Sequence, residues 1–87
     1  MDVELSDHER RLQWHCRRGL KELDVFLQPF FAQHYRTLSS PQKAVFERLL
    51  ACEDIDLFHW FMGDEPVPDA ELEQMIGLVR ERVAPAP

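Results

Sequence analysis

Arg17-Arg18-Gly19-Leu20-Lys21-Glu22-Leu23-Asp24 is the stretch on which the fold turns. It packs five charged side chains into eight positions and joins two segments whose apolar residues recur at helical spacing. A single glycine sits at the join. Glycine accepts positive φ, which makes it the natural residue beyond a helix end. Upstream, Ser6-x-x-Glu9 reads as a capping box. It predicts a first helix from Asp7 through Leu12, Trp14, His15 and Cys16 that stops at Gly19. Downstream, a second helix is predicted from about Leu20. Leu20, Leu23, Leu27, Phe30, Phe31 and His34 fall on one of its faces. Pro29 lies inside that pattern and has no N–H for the Val25 carbonyl, so a kink or a break is expected there.

The same period continues to the C-terminus, and strand alternation is absent. Thr37-Leu-Ser-Ser-Pro41 reads as a loop that ends in a helix start. Ser40 can cap with Pro41 in the first helical position, and Ser39-x-x-Gln42 offers a second capping box. The third helix carries Ala44, Val45, Phe46, Leu49, Leu50 and Cys52. Glu53-Asp54 opens a short fourth helix through Ile55, Leu57, Phe58, Phe61 and Met62, which Gly63 closes. A rigid polar turn, Asp64-Glu-Pro-Val-Pro68, leads to a fifth helix from about Asp69 to Val83. Glu71 and Glu73 in its first turn and Arg80 and Arg82 in its last complement the helix dipole. The expected fold is all-α, a compact bundle of five short helices. Residues 1–87 form one domain, with a core over about 7–83 and a frayed tail over 84–87. Trp14, Phe26, Phe30, Phe31, Phe46, Phe58, Trp60 and Phe61 are more rings than so small a core can bury, so one or two should stand exposed at a binding face.

An 87-residue chain has a small core and little room for a deep substrate cavity, which argues against an enzyme. No apolar run approaches the ~20 residues that span a bilayer. The start, Met1-Asp-Val-Glu-Leu-Ser-Asp7, is acidic and has no cationic and apolar signal regions. A cytoplasmic protein without membrane insertion is expected. The net charge is −6 and unevenly spread. Residues 1–46 carry +1, residues 47–73 carry −8 and residues 74–87 carry +1. The acidic middle repels phosphate backbones, which disfavours nucleic-acid binding. Arg17, Arg18 and Lys21 remain available for an acidic protein partner.

Side chains capable of chemistry are present but poorly spaced for it. His8, His15, His34 and His59 with Cys16 and Cys52 lack the close ligand pairs of zinc sites, and no metal is expected. Cys16 and Cys52 are 36 residues apart and read as buried free thiols. Cys16 beside His15 and two arginines invites a lowered thiol pKa, but nothing supplies an oxyanion hole. The three glycines are isolated, so no phosphate loop exists and no cofactor should bind tightly. Glu53, Asp54, Asp56, Asp64, Glu65 and Asp69 lack the spacing of a calcium loop and read as a solvated face with helix N-termini. On physics alone the charged corner is a favourable helix junction first and a docking surface second. Arg18 and Glu22 each suit the dipole of the helix end they occupy.

A resemblance changes that order. Trp14-x-Cys16-Arg17-Arg18-Gly19-x-x-Glu22-Leu23-Asp24 resembles the SdhE family of succinate dehydrogenase assembly factors. The likeness continues through Pro29-Phe30-Phe31, Phe46-x-x-Leu49-Leu50, Asp54-x-Asp56-Leu57-Phe58-x-Trp60 and Ala70-Glu71-Leu72. Leu20 stands where the family usually has Met. The resemblance implies a non-enzymatic assembly factor built as a five-helix bundle. Its client would be the flavoprotein subunit of succinate dehydrogenase, and of fumarate reductase in some bacteria. It would promote covalent attachment of FAD to a client histidine. FAD would belong to the client, with room for transient contact by this chain. The matching partner-binding residues are Arg18, Gly19 and Glu22, with Arg17 and Asp24 beside them. Arg18 would pair with a client carboxylate, Gly19 would permit close approach, and Glu22 would accept a hydrogen bond or orient Arg18. A monomer is the expected state. The competing reading is a regulatory partner protein of the antitoxin kind.

Overall fold

The computed structural model describes residues 5–83, and their regular structure is helical throughout. The elements are α1 (Asp7–His15), α2 (Lys21–His34), a 3-10 turn (Tyr35–Thr37), α3 (Ser40–Leu50), α4 (Asp54–Met62) and α5 (Ala70–Arg82). The expected all-α bundle of five short helices is the observed fold. The tail expected over 84–87 lies outside the described residues.

Local chemistry explains most boundaries. Ser6 and Ser39 each form a full capping box, with Glu9 and Gln42 respectively returning the hydrogen bond. Asp69 caps α5 by accepting from the Leu72 N–H at 3.0 Å. Gly63 closes α4 in the left-handed region at φ 83°. That conformation lets the Gly63 and Asp64 amides both reach the His59 carbonyl.

Two expectations are corrected. α1 ends at His15 rather than running to Gly19. The residues between, Cys16 to Leu20, form a linker held by tertiary hydrogen bonds that continued helix would break. Gly19 does take positive φ, at 83°, but inside this linker rather than as the cap of α1. Of the kink or break expected at Pro29, the break is not found, since α2 runs from Lys21 to His34. Proline deletes one backbone hydrogen bond, while Leu27, Phe30 and Phe31 on either side of it are buried and hold the helix in place.

α2 is the hub, packing against α1, α4, α5 and the 3-10 turn, while α3 packs on α5 and α1. Leu23, Leu27 and Phe30 of α2 are fully buried with Phe46 and Leu49 of α3 and Leu57 of α4. Rings lock the layers: Phe26 stacks on Phe61 at 5.1 Å, and Phe30 meets Phe46 at 5.4 Å. Each such buried side chain contributes roughly 1.5–3 kcal/mol of transfer free energy. Among the bulky rings Trp14 stands out, with 68% of its surface exposed.

Candidate protein-docking corner

The linker between α1 and α2 is organised by Arg18. Its side chain is only 13% exposed. Nε donates to Asp54 Oδ1 at 2.6 Å. Nη1 donates to the carbonyls of His15 at 3.0 Å and Leu50 at 2.7 Å. Nη2 donates to the Cys52 carbonyl at 2.6 Å. These acceptors lie at the C-terminal ends of α1 and α3, in the α3–α4 link, and at the first residue of α4. Terminal helix carbonyls have no partner within their own helix, so one planar cation satisfies several orphans together. Its charge also sits favourably at the C-terminal ends of two helix dipoles. The backbone N–H of Arg18 donates to Asp24 Oδ1 at 2.8 Å, which ties the linker down onto the first turn of α2.

The five residues singled out in the sequence therefore divide in two. Arg18 and Asp24 are engaged inward, and Arg18 already has its carboxylate, Asp54, on its own chain. Arg17, Gly19 and Glu22 are exposed. Glu22 makes no hydrogen bond or ion pair with any described residue; the side chains that orient the Arg18 region are Asp24 and Asp54. Space in front of Gly19 is open, with nothing within 4 Å of where a Cβ would stand. A substitution there would be strained by the positive φ, and a long side chain would project outward from the corner.

Asp54 and Trp14 are the residues whose role the sequence left unassigned. Asp54 was read as one of a solvated acidic group. Its position at the start of α4, where a carboxylate suits the dipole, gave no sign of a partner 36 positions away. Trp14 lies beside Arg17, whose guanidinium sits 5.8 Å from the ring centroid. An exposed indole ordered by a cation is a ready contact for another chain.

The thiols behave unlike activated nucleophiles. Cys16 is fully buried, and burial pushes its pKa up to about 12 against the opposing pull of Arg18. The lowered value that its arginine neighbours suggested is therefore overturned: loss of solvation outweighs their charge. Cys52 is half-buried rather than buried, and its pKa is raised, chiefly by burial. Both thiols are free. Among the described residues no group of three His, Cys, Asp or Glu side chains is placed to hold a metal ion. No helix there is long and apolar enough to cross a membrane.

Comparison with known proteins decides the family. The family described as "Flavinator of succinate dehydrogenase" matches residues 10–83. The chain belongs to this flavinator family. Curated relatives carry the name FAD assembly factor SdhE. That of Idiomarina loihiensis is 55% identical over 75 residues, covering 86% of this chain and 83% of the relative. That of Shewanella oneidensis is 55% identical over 75 residues, covering 86% and 92%. That of Photorhabdus laumondii is 47% identical over 82 residues, covering 94% and 90%. The matched span of the flavinator family contains the whole corner, from Trp14 to Asp24, and all three helix ends that Arg18 joins.

Proposed function

We propose that this chain is a cytoplasmic, non-catalytic assembly factor. It binds the flavoprotein subunit of succinate dehydrogenase and promotes covalent attachment of FAD to it. The flavoprotein of fumarate reductase is a second client of the same kind. The observation that carries the reading is the flavinator-family match over residues 10–83, with an open, positive-φ glycine at the apex of a braced corner inside it.

Covalent flavinylation needs the client's acceptor side chain and the flavin held in a near-attack arrangement. A small bundle contributes to this by binding the competent conformation of the client more tightly than the incompetent one. Arg17, Gly19 and Glu22 supply the contact surface. Gly19 lets the client backbone approach closely. Glu22 offers a carboxylate acceptor, and Arg17 a cation. Arg18 and Asp24 act through position, by holding that surface in shape. The flavin belongs to the client, and this chain touches it transiently at most.

The test is reconstitution of flavinylation with purified apo-flavoprotein, FAD and this chain. Gly19→Ala and Gly19→Arg both incur the strain of positive φ, about 1–2 kcal/mol. Only arginine obstructs the corner. The expected result is retained promotion by Gly19→Ala and its abolition by Gly19→Arg, with equal helical circular dichroism. Normal promotion by a folded Gly19→Arg protein would sink the assignment of the corner.

A further inference from the structure

The corner continues into a second prepared surface. Arg10 and Trp14 of α1 and Arg17 of the linker that follows lie along one flank. They face Pro29, Phe31 and Ala32 of α2 across an open groove of about 520 Å3. The lining of this groove carries two arginines and no carboxylate, with Arg10 paired to Asp7 at 4.0 Å just outside it, in a chain whose net charge is −6. Cys16, Pro29, Phe31 and Ala32 supply the apolar part of its lining, and Gln13 and Gln28 a neutral polar part. Trp14 forms the lip, 68% exposed and steadied by Arg17 at 5.8 Å. The indole N–H makes no hydrogen bond to any described residue and is a donor with no partner among them.

We infer that this groove receives a segment of the client flavoprotein subunit bearing a large apolar side chain beside an Asp or Glu, an inference that rests on the assembly-factor reading above. The apolar side chain lies on Pro29, Phe31 and Ala32 against the indole face. The neighbouring carboxylate accepts from Trp14 Nε1 and pairs with Arg17. Charge complementarity selects this occupant, because Arg17 stands beside Trp14 at the lip of a recess whose lining holds no carboxylate. A second copy set groove to groove fits poorly. That contact would bring both copies of Arg17 into one interface with no carboxylate of the lining to offset them. The groove and the corner share Arg17, so one bound segment can run from the groove to Gly19.

The test is calorimetric titration of the apo-flavoprotein subunit of succinate dehydrogenase into the wild-type chain, Trp14→Ala and Arg17→Glu. Both side chains are exposed, so circular dichroism and the thermal midpoint should be unchanged. Trp14→Ala should weaken binding by about 30-fold, the loss expected of a central aromatic anchor. Wild-type binding should weaken as salt is raised, whereas residual binding by Arg17→Glu should strengthen as its repulsion is screened. Wild-type affinity in both variants, beside normal wild-type binding, would overturn the groove and leave the assembly role standing. Absence of binding by the wild-type chain would overturn the assembly role and this occupant together. A wild-type dimer that Trp14→Ala dissociates would replace the client segment with a second copy and overturn the inference.

Discussion

Arg18 shows how far one residue's role can depart from what its neighbours in sequence suggest. Spacing alone places it at a charged helix junction, and the family motif suggests a contact with another chain. Its side chain instead holds carbonyls of residues 15, 50 and 52 and the carboxylate of Asp54. Three of these partners lie 32, 34 and 36 positions away, beyond the reach of any local pattern. Gly19 was legible because positive φ leaves a direct signature in residue type. The division of Arg18 and Asp24 from Arg17 and Glu22 was not, because burial depends on the packing of α3 and α4. Arg18→Ala should lower stability by about 2–4 kcal/mol, since it leaves part-buried acceptors without donors. Arg18→Lys should recover less than half, because an ammonium cannot span the fork of acceptors. Urea denaturation checks both, and an unchanged midpoint for Arg18→Ala would contradict the clamp. Cysteine reactivity gives a second test at this scale. Cys16 is fully buried with its pKa near 12, whereas Cys52 is half-exposed. At pH 8 iodoacetamide should modify Cys52 first, and Cys16 only when the bundle unfolds, as read by peptide mass spectrometry. Equal rates at both thiols would count against the buried placement of Cys16.

Among the five α-helices, α1 is held least by its own core contacts, since Leu12 is its one buried residue. Side-chain ties compensate. Glu9 completes the capping box with Ser6 and also receives Nε and Nη2 of Arg36, each at 2.9 Å. That joins α1 to the 3-10 turn. The guanidinium of Arg36, followed by the Ser6 amide, holds the Glu9 carboxyl down at about 2. The sign follows from that depression. The stabilisation is present above the unfolded value of 4.5 and is lost as pH falls towards 2. Thermal midpoints measured across that window should fall less steeply for Glu9→Gln than for wild type; parallel curves would show that the pair contributes nothing. The capping boxes of α1 and α3 were legible because their four-residue grammar is local. The early end of α1 was not, because the Arg18 amide bonds Asp24 across the linker instead of continuing the helix. The absence of a break at Pro29 has a related reason. Its lost hydrogen bond is small beside the burial of Phe30 and Phe31, which fixes the helix from outside.

At the scale of the whole molecule, α2 gathers the other helices. Arg48 fastens α3 to the start of α5 through Asp69 at 2.8 Å and Glu71 at 2.6 Å. The negative charge concentrates in residues 47–73, and two of its members, Glu53 and Asp54, share a cleft with Trp14 and Arg17 on the other side of the groove's lip. One flank of the bundle thus carries Trp14 and Arg17 beside Pro29, Phe31 and Ala32, and it meets the open Gly19 corner at Arg17. A bundle of this size is suited to holding a client rather than to enclosing a substrate. That role predicts a dependence visible in cells. The most direct measurement is covalent flavin fluorescence of the succinate dehydrogenase flavoprotein subunit on a denaturing gel, from cells with and without this gene. Loss of the fluorescent band without the gene, restored by the wild-type chain but not by Gly19→Arg, is the predicted result. A band of unchanged intensity without the gene would contradict the assembly role.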